Sequence, residues 1–252
     1  MVRMILYGCS GAMGQVITNL ASQYADVQIV AGIDLNPEKK QEYPVYSSLE
    51  ECREEGDVIV DFTSAAAVDP LIAYCESQRV PLVCCSTGLS REQVERLERC
   101  AQKTAVLRSA NMSLGVNLLL KLVRDAALSL AEAGFDIEIV EKHHNHKLDA
   151  PSGTALALAD SINVAMGNQY HYQYDRSTRH EKRDKKEIGI SAVRGGSIVG
   201  EHDVIFAGQD EVVTISHTAY SRAIFGKGAI EAARFLAGKP AGLYTMSDVI
   251  GG

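Results

Sequence analysis

The chain has 252 residues, a formal net charge of −7 and a sequence pI near 5.5. A chain of this length buries about 70 to 75 per cent of its extended surface, so it needs no disulfide staples and fits one large or two small domains. The acidic balance argues against a general binder of nucleic acid or anionic membrane, so any anion site must be a local cluster of donors.

Cys9, Cys52, Cys75, Cys84, Cys85 and Cys100 all fall in the first hundred residues, with no paired CxxC spacing that would suggest zinc. They read as reduced thiols. Met4-Ile5-Leu6-Tyr7 runs straight into a glycine loop, and no stretch of 18 apolar residues follows. The expected location is the cytoplasm.

Arg3 to Tyr7 is a short apolar run, followed by Gly8-Cys9-Ser10-Gly11-Ala12-Met13-Gly14 and a helical pattern with Met13, Val16, Ile17 and Leu20 on one face. Val27 to Ile33 is a second strand, closed by Asp34 and the breaker pair Asn36-Pro37. The alternation continues with Val58-Ile59-Val60 as strand, Ala65 to Gln78 as helix, Val80 to Cys84 as strand, Ser90 to Lys103 as amphipathic helix and Ala105 to Leu107 as strand. Short apolar strands separated by helices predict right-handed βαβ units, hence a Rossmann-type doubly wound parallel sheet of the α/β class.

After Asn111 the texture changes. Val116 to Ala133 reads as a long helix stopped at Gly134, and Ile137 and Ile139 then alternate against Asp136, Glu138 and Val140. A helix running to about Met166 follows the stretch Glu141 to Thr154, and the polar section Gly167 to Lys186 reads as a surface loop. Ile188 to Val193, Ile198 to Phe206 and Glu211 to His217 alternate around glycine turns and predict antiparallel hairpins. The last helix, Ala223 to Leu236, is expected to return to the first domain, leaving a short tail. The division predicted is residues 1–113 and 222–252 for dinucleotide binding, and 114–221 for an α+β domain with an open mixed sheet that binds substrate and oligomerises.

Gly8, Gly11 and Gly14 give GxxGxxG, with Ser10 where the usual GxGxxG motif has its second glycine. A plain glycine turn is the alternative. The loop's place after the first strand, and an acid at the end of the second, favour a pyrophosphate held at the helix N-terminus. Asp34 would accept hydrogen bonds from ribose hydroxyls and would oppose a 2′-phosphate by roughly 1 to 4 kcal/mol at about 4 Å. Lys39 and Lys40 are the cations that could offset this. The expectation is NADH preferred over NADPH.

Glu141-Lys142-His143-His144-Asn145-His146-Lys147-Leu148-Asp149-Ala150-Pro151-Ser152-Gly153-Thr154-Ala155 combines imidazoles, ammonium groups and a helix start. Pro151 suits a first helical turn, Ser152 and Thr154 can satisfy free amides, and Gly153 lets a ligand approach the backbone. Lys147 and the neighbouring imidazoles add donors for a substrate with more than one carboxylate. A histidine with its ordinary pKa near 6.5 gives or takes a proton at neutral pH. A zinc cluster would lack a Cys or Glu at ligand spacing and would be repelled by Lys147, so no metal is expected; a solvated polar loop is the other alternative.

This stretch resembles the signature of the dihydrodipicolinate reductase family. The likeness extends to the glycine loop, Asp61-Phe62-Thr63, Ser86-Thr87-Gly88, Ala110-Asn111-Met112-Ser113, Gly115-Val116-Asn117, His217 with Ser221-Arg222, and Gly242-Leu243-Tyr244. The resemblance implies that His143 is the acid/base residue with Lys147 beside it in catalysis, and that His144, Lys147, Ser152, Gly153 and Thr154 hold a small dicarboxylate. It also implies that Gly8, Cys9, Ser10, Gly11, Ala12, Met13, Asp34, Cys85, Ser86, Thr87, Ser109, Ala110, Asn111 and Met112 line the cofactor, and that the chain forms a homotetramer through its C-terminal sheet. Ala12 stands where many relatives have an Arg, which strengthens the expectation of NADH. Cys85-Ser86 replaces the usual Gly-Thr, and Met112 a frequent aromatic. The reaction implied is NAD(P)H-dependent reduction of a cyclic imine dicarboxylate on the route to lysine. The alternatives are a related dehydrogenase acting on another small acid, or a non-catalytic dinucleotide-sensing module.

Overall fold

The computed structural model describes residues 1–35 and 41–251. The expected breaker Asn36-Pro37 and the lysines Lys39 and Lys40 lie outside the described residues. The chain divides into two compact units, Met1–Leu114 with Ala223–Gly252, and Gly115–Arg222.

The first unit runs β1 (Val2–Tyr7), α1 (Ala12–Ala21), β2 (Val27–Ile33), β3 (Val45–Tyr46), β4 (Val58–Asp61), α2 (Ala65–Gln78), β5 (Leu82–Cys84), α3 (Arg91–Cys100) and β6 (Ala105–Arg108). The chain leaves this unit through α4 (Leu114–Leu130) and, in the second unit, forms β7 (Asp136–His143), α5 (Gly153–Ala165), β8 (His171–Tyr174), β9 (Glu187–Arg194), β10 (Gly200–Ala207) and β11 (Val212–Ala219). It re-enters the first with α6 (Ala223–Leu236), β12 (Gly242–Tyr244) and α7 (Met246–Val249).

The first sheet is parallel throughout, in the order β12-β6-β5-β4-β1-β2-β3. Strand alternation divides its apolar residues between two faces. Met4 and Leu6 of β1, with Val58 and Val60 of β4, join Ile17 and Leu20 of α1 and Ala229, Ile230 and Ala233 of α6. Ile5 and Ile59 point the other way, to Leu71, Ile72 and Cys75 of α2 and Leu97 and Cys100 of α3. Both faces are covered, which is why the strands read as continuous apolar runs. Helix α3 starts on a capping box in which Ser90 accepts from the Gln93 amide and Gln93 returns the bond.

The tail does more than close the chain, because β12 pairs in parallel with β6 and extends the sheet by an edge strand. Its three residues are too few for a periodic signal. Strand β3, with two residues beside β2, escapes sequence reading for the same reason.

The second sheet is mixed, in the order β11-β10-β7-β9-β8. Two expectations need correction. The predicted loop at Gly167 to Lys186 contains β8, parallel to β9; as an edge strand it has one neighbour and a polar exposed side, so its composition resembles a loop. Of the predicted hairpins only β10–β11 exists, because β7 lies between β9 and β10, parallel to one and antiparallel to the other. Local glycine turns cannot register a strand that arrives from fifty residues earlier. One face of this sheet packs Ile137, Ile139, Ile188, Ile190, Val204 and Phe206 against Leu119, Val123 and Ala127 of α4 and Leu158, Ala159 and Ile162 of α5.

Within the first unit one close approach fixes the loop after β6. A Cβ placed on Gly228 of α6 would lie 1.6 Å from the carbonyl oxygen of Met112. Gly228→Ala must therefore move either the helix or the Met112 segment, and overpacking of this kind costs about 1–3 kcal/mol. Thermal denaturation is expected to show a midpoint several degrees lower; an unchanged midpoint would contradict the packing described.

Candidate active site

Strand β7 alternates without interruption, and the periodicity that buries Ile137 and Ile139 carries Glu141 and His143 to the same side. Glu141 is fully buried and His143 is 8% exposed. A buried carboxylate requires donors. Glu141 has them: Arg194 of β9 donates from Nη1 to Oε2 at 2.7 Å and from Nη2 to Oε1 at 2.6 Å, and the Ser152 amide donates to Oε1 at 2.9 Å. His143 Nδ1 lies 2.6 Å from Oε2. Burial opposes ionisation of Glu141, but Arg194, His143 and the Ser152 amide together outweigh it and hold the carboxyl below its ordinary value.

With Nδ1 committed to a carboxylate, His143 keeps Nε2 for proton exchange. That nitrogen faces Gly200 of β10, where an added Cβ would come within 3.1 Å of it. His202 packs edge-on against His143, ring centroids 5.2 Å apart and planes at 74°. The same ring bonds through Nε2 to Ser152 Oγ at 2.9 Å. Glu141, Arg194 and His202 were not among the predicted site residues. The alternation that buried Ile137 and Ile139 could have found Glu141, because a Glu on a core face requires a partner; Arg194 and His202 have no local signal.

Ser152 is the N-cap of α5, its Oγ accepting from the Ala155 amide at 3.1 Å. Pro151 precedes this cap instead of opening the first turn, because the cap position falls on Ser152 and Gly153 is the first helical residue. Gly153 is exposed, with nothing within 4 Å of where a Cβ would stand. Ser152 is buried at 2% exposure with its Oγ engaged by Ala155 and His202, while Gly153 and Thr154 form the accessible edge of the helix start. Lys147 is close in sequence, its Nζ 2.7 Å from the exposed Asp149 Oδ1. The His144 carbonyl accepts from the Lys147 amide at 3.1 Å, and the His144 and His146 rings lie 6.4 Å apart. Among the described residues no group of three or more His, Cys, Asp and Glu is arranged to hold a metal ion.

In the first unit β1 pairs with β2 on one side and β4 on the other, so the strand order reverses there, and ligands of such sheets bind beyond the C-terminal ends at this point. Every predicted cofactor residue follows one of these ends: Gly8 to Met13 after β1, Asp34 after β2, Cys85 to Thr87 after β5 and Ser109 to Met112 after β6. Gly8 has φ +88°, and a Cβ on Gly14 would fall 2.3 Å from the Gly8 carbonyl oxygen. Helix α1 has no side-chain cap and no acidic residue in its first turn. Asp34 Oδ2 accepts from the Ser10 amide at 2.9 Å, which fixes one carboxylate oxygen at the loop. A tight glycine turn, an uncapped helix start and an anchored acid fit a dinucleotide.

The side chains of Cys9, Cys85 and Met112 are buried in the apolar core, so their positions offer backbone to a ligand. Burial pushes the Cys85 thiol well up. Ser109 Oγ donates to the Asn111 carbonyl at 2.8 Å and Asn111 Oδ1 accepts from the Ser113 amide at 2.9 Å, shaping that loop. Asp61, which the resemblance includes without implying a role for it, is the fully buried last residue of β4. It accepts from the Thr63 amide at 2.9 Å and from Thr63 Oγ1 at 2.6 Å, and Thr63 Oγ1 is 3.4 Å from Ser86 Oγ.

Family models of dihydrodipicolinate reductase match both parts of the chain, the N-terminal model over residues 2–112 and the C-terminal model over residues 115–250. The 4-hydroxy-tetrahydrodipicolinate reductase of Caldanaerobacter subterraneus subsp. tengcongensis is 51% identical, with 99% of this chain and 98% of that protein covered. The enzyme of the same name from Clostridium tetani is 46% identical, with 99% and 97% covered. Among solved structures, the dipicolinate-bound dihydrodipicolinate reductase of Paenisporosarcina sp. TG-14 superposes with a TM-score of 0.84 at 26% identity, covering 99% of each chain.

The histidines of the second sheet set an acid limit on stability. Burial, and then the neighbouring His143, lowers His202 to about 4, and burial also lowers His217. Below about pH 6.5 the unfolded chain binds protons that these rings refuse when folded. Stability therefore falls as pH drops from about 6.5, and the loss through His202 is complete near its folded pKa of about 4. His202→Phe is expected to flatten this slope by on the order of 3 kcal/mol across the window, read from denaturant midpoints against pH. A slope identical to that of the unsubstituted protein would show that His202 does not stay neutral on folding.

Proposed function

The chain belongs to the dihydrodipicolinate reductase family and is an NAD(P)H-dependent oxidoreductase that reduces 4-hydroxy-tetrahydrodipicolinate to tetrahydrodipicolinate; from this we propose which of its residues do the work. The observation that carries the assignment is the Glu141–His143 pair beside the α5 start, an oriented proton donor next to amides that suit a carboxylate.

When bound, the reduced nicotinamide supplies hydride to ring C4 of the conjugated cyclic imine left after the substrate loses water. The electron density so displaced through the conjugated system must be neutralised by a proton. His143 provides it from Nε2: the buried Glu141 carboxylate accepts from Nδ1–H and fixes the ring. Gly200 leaves room for the approach of the ring carbon to be protonated. Lys147 exchanges its surface partner Asp149 for a substrate carboxylate, and the Gly153 and Thr154 amides, with the positive end of α5, hold a carboxylate of the same substrate. His144 and the cap residue Ser152 complete this subsite. Orientation and fixed dipoles then carry most of the rate.

For the cofactor we propose NADH in preference to NADPH, held by Gly8 to Met13, Asp34, Cys85 to Thr87 and Ser109 to Met112. The support is the Asp34 carboxylate anchored to the Ser10 amide, and the methyl side chain of Ala12 at the first helical position, which brings no charge to a 2′-phosphate. A homotetramer associating through the second sheet is supported by its edge strand β11, which exposes Val212 and Val213. A cytoplasmic location is supported by six cysteines, all free. Among the described residues no helix is long and apolar enough to cross a membrane.

The activity is read by following oxidation of NADH or NADPH on adding the condensation product of pyruvate and aspartate semialdehyde. His143→Gln is expected to lower kcat at least about tenfold with cofactor KM unchanged; near-normal turnover would remove it from the proton-transfer role. Lys147→Ala is expected to lower kcat and raise the substrate KM together. A kcat/KM that favours NADPH would overturn the assignment of Asp34, whereas a ratio above one for NADH supports it.

A further inference from the structure

His202 is 4% exposed on β10, directly opposite Glu141 of β7 and His217 of β11. The next two inward positions of β10, Val204 and Phe206, are apolar core, so the change to imidazole at this level needs a reason. The resemblance gives this residue no role, and the proton-transfer chemistry above does not use it.

The hydrogen bonds supply the reason. A serine hydroxyl has one proton and two acceptor lone pairs. The Ala155 amide takes one lone pair of Ser152 Oγ at 3.1 Å, and His202 Nε2 lies 2.9 Å from the same oxygen. If the serine donated, the imidazole proton would sit on Nδ1, which is buried and has no partner among the described residues. A buried N–H without an acceptor is the costlier defect, whereas a bare ring nitrogen leaves only a lone pair unpaired. His202 therefore carries its proton on Nε2 and donates to Ser152, and the hydroxyl proton of Ser152 is left for an acceptor at the helix start.

Ser152 is thus pinned twice. Its amide donates to Glu141 Oε1 at 2.9 Å on β7, and its Oγ takes the His202 bond from β10. Because Glu141 also holds His143, the two bonds tie the α5 start to the same carboxylate that orients the proton donor, and the His202 ring packs edge-on against His143. We propose that His202 is a positioning residue for the reaction: it fixes the Ser152 cap, and with it the carboxylate subsite, in register with His143 Nε2. This rests on the reading that the α5 start takes a substrate carboxylate.

The test uses dipicolinate as the probe, measured by calorimetry on the whole protein alongside steady-state kinetics. His202→Phe removes the donor, and His202→Gln restores an N–H of similar reach. His202→Phe is expected to weaken dipicolinate and raise the substrate KM by about tenfold, the effect of losing one buried donor, with NADH affinity unchanged and His202→Gln recovering most of the loss. A combined His202→Phe, Ser152→Ala variant is expected to lose less than the sum of the two single losses, since the Ser152–His202 bond is counted in both. Equal impairment of the Phe and Gln variants in proportion to their melting temperatures would reduce His202 to a core residue and overturn the proposal. Lys147→Ala separates the two levels: if it weakens dipicolinate and His202→Phe does not, the proposal alone falls, and if neither does, the carboxylate reading falls with it. Should the Phe variant fail to fold, 15N spectra of the unsubstituted protein decide. Protonation of His202 at Nε2 near neutral pH supports the proposal, and protonation at Nδ1 overturns it.

Discussion

The second unit is organised around a carboxylate that has no access to water. Glu141 is buried on the core face of β7, and its two oxygens receive both terminal nitrogens of Arg194, the Ser152 amide and the His143 ring. Removing one partner of such a pair costs about 3–5 kcal/mol, because the remaining charge is left without compensation. The expense is borne by function more than by stability. One anion fixes an imidazole, anchors the cap residue of a helix and holds an arginine from the neighbouring strand.

That arrangement explains why the site sits where a sheet stops being apolar. From Phe206 to His202 on β10, and from Ile137 to Glu141 on β7, the same face passes from hydrocarbon to polar groups without a change of period. Below, packing against α4 and α5 supplies rigidity; above, the hydrogen bonds have no slack, since each donor to Glu141 comes from a different element. A side chain held in this way keeps its geometry without help from a loop.

The first unit solves a different problem with backbone alone. Gly8 and Gly14 leave no space for side chains where the chain turns from β1 into α1, and the residues after β1, β2, β4, β5 and β6 gather at the C-terminal edge of a parallel sheet. One anchored carboxylate, Asp34, stands just after β2 at the same edge. Under the function proposed above the chemistry is thereby divided: the first unit offers dipoles and a negative charge to a dinucleotide, and the second offers a proton and positive charge to a dicarboxylate.

Much of this was legible without coordinates. Apolar runs of three to seven residues between helices specify a parallel sheet, because strands buried on both faces cannot tolerate polar residues, and the glycine spacing marks the dinucleotide turn. The stretch from His143 to Thr154 announces its own chemistry, since proton donor, ammonium and helix start are contiguous. Sequence could not place β8, β12 or the insertion of β7 between β9 and β10, because short edge strands carry no period and strand order depends on contacts fifty or more residues apart. Nor could it find Arg194 and His202. Their roles arise only when β9 and β10 align beside β7 and set a guanidinium and an imidazole against groups distant in sequence. What the sequence determined by itself was the local chemistry and the class of fold, which depend on neighbours along the chain. The pairing that orients His143 was decided by tertiary structure, because a buried charge is answered by whichever donors the folded sheet brings to it.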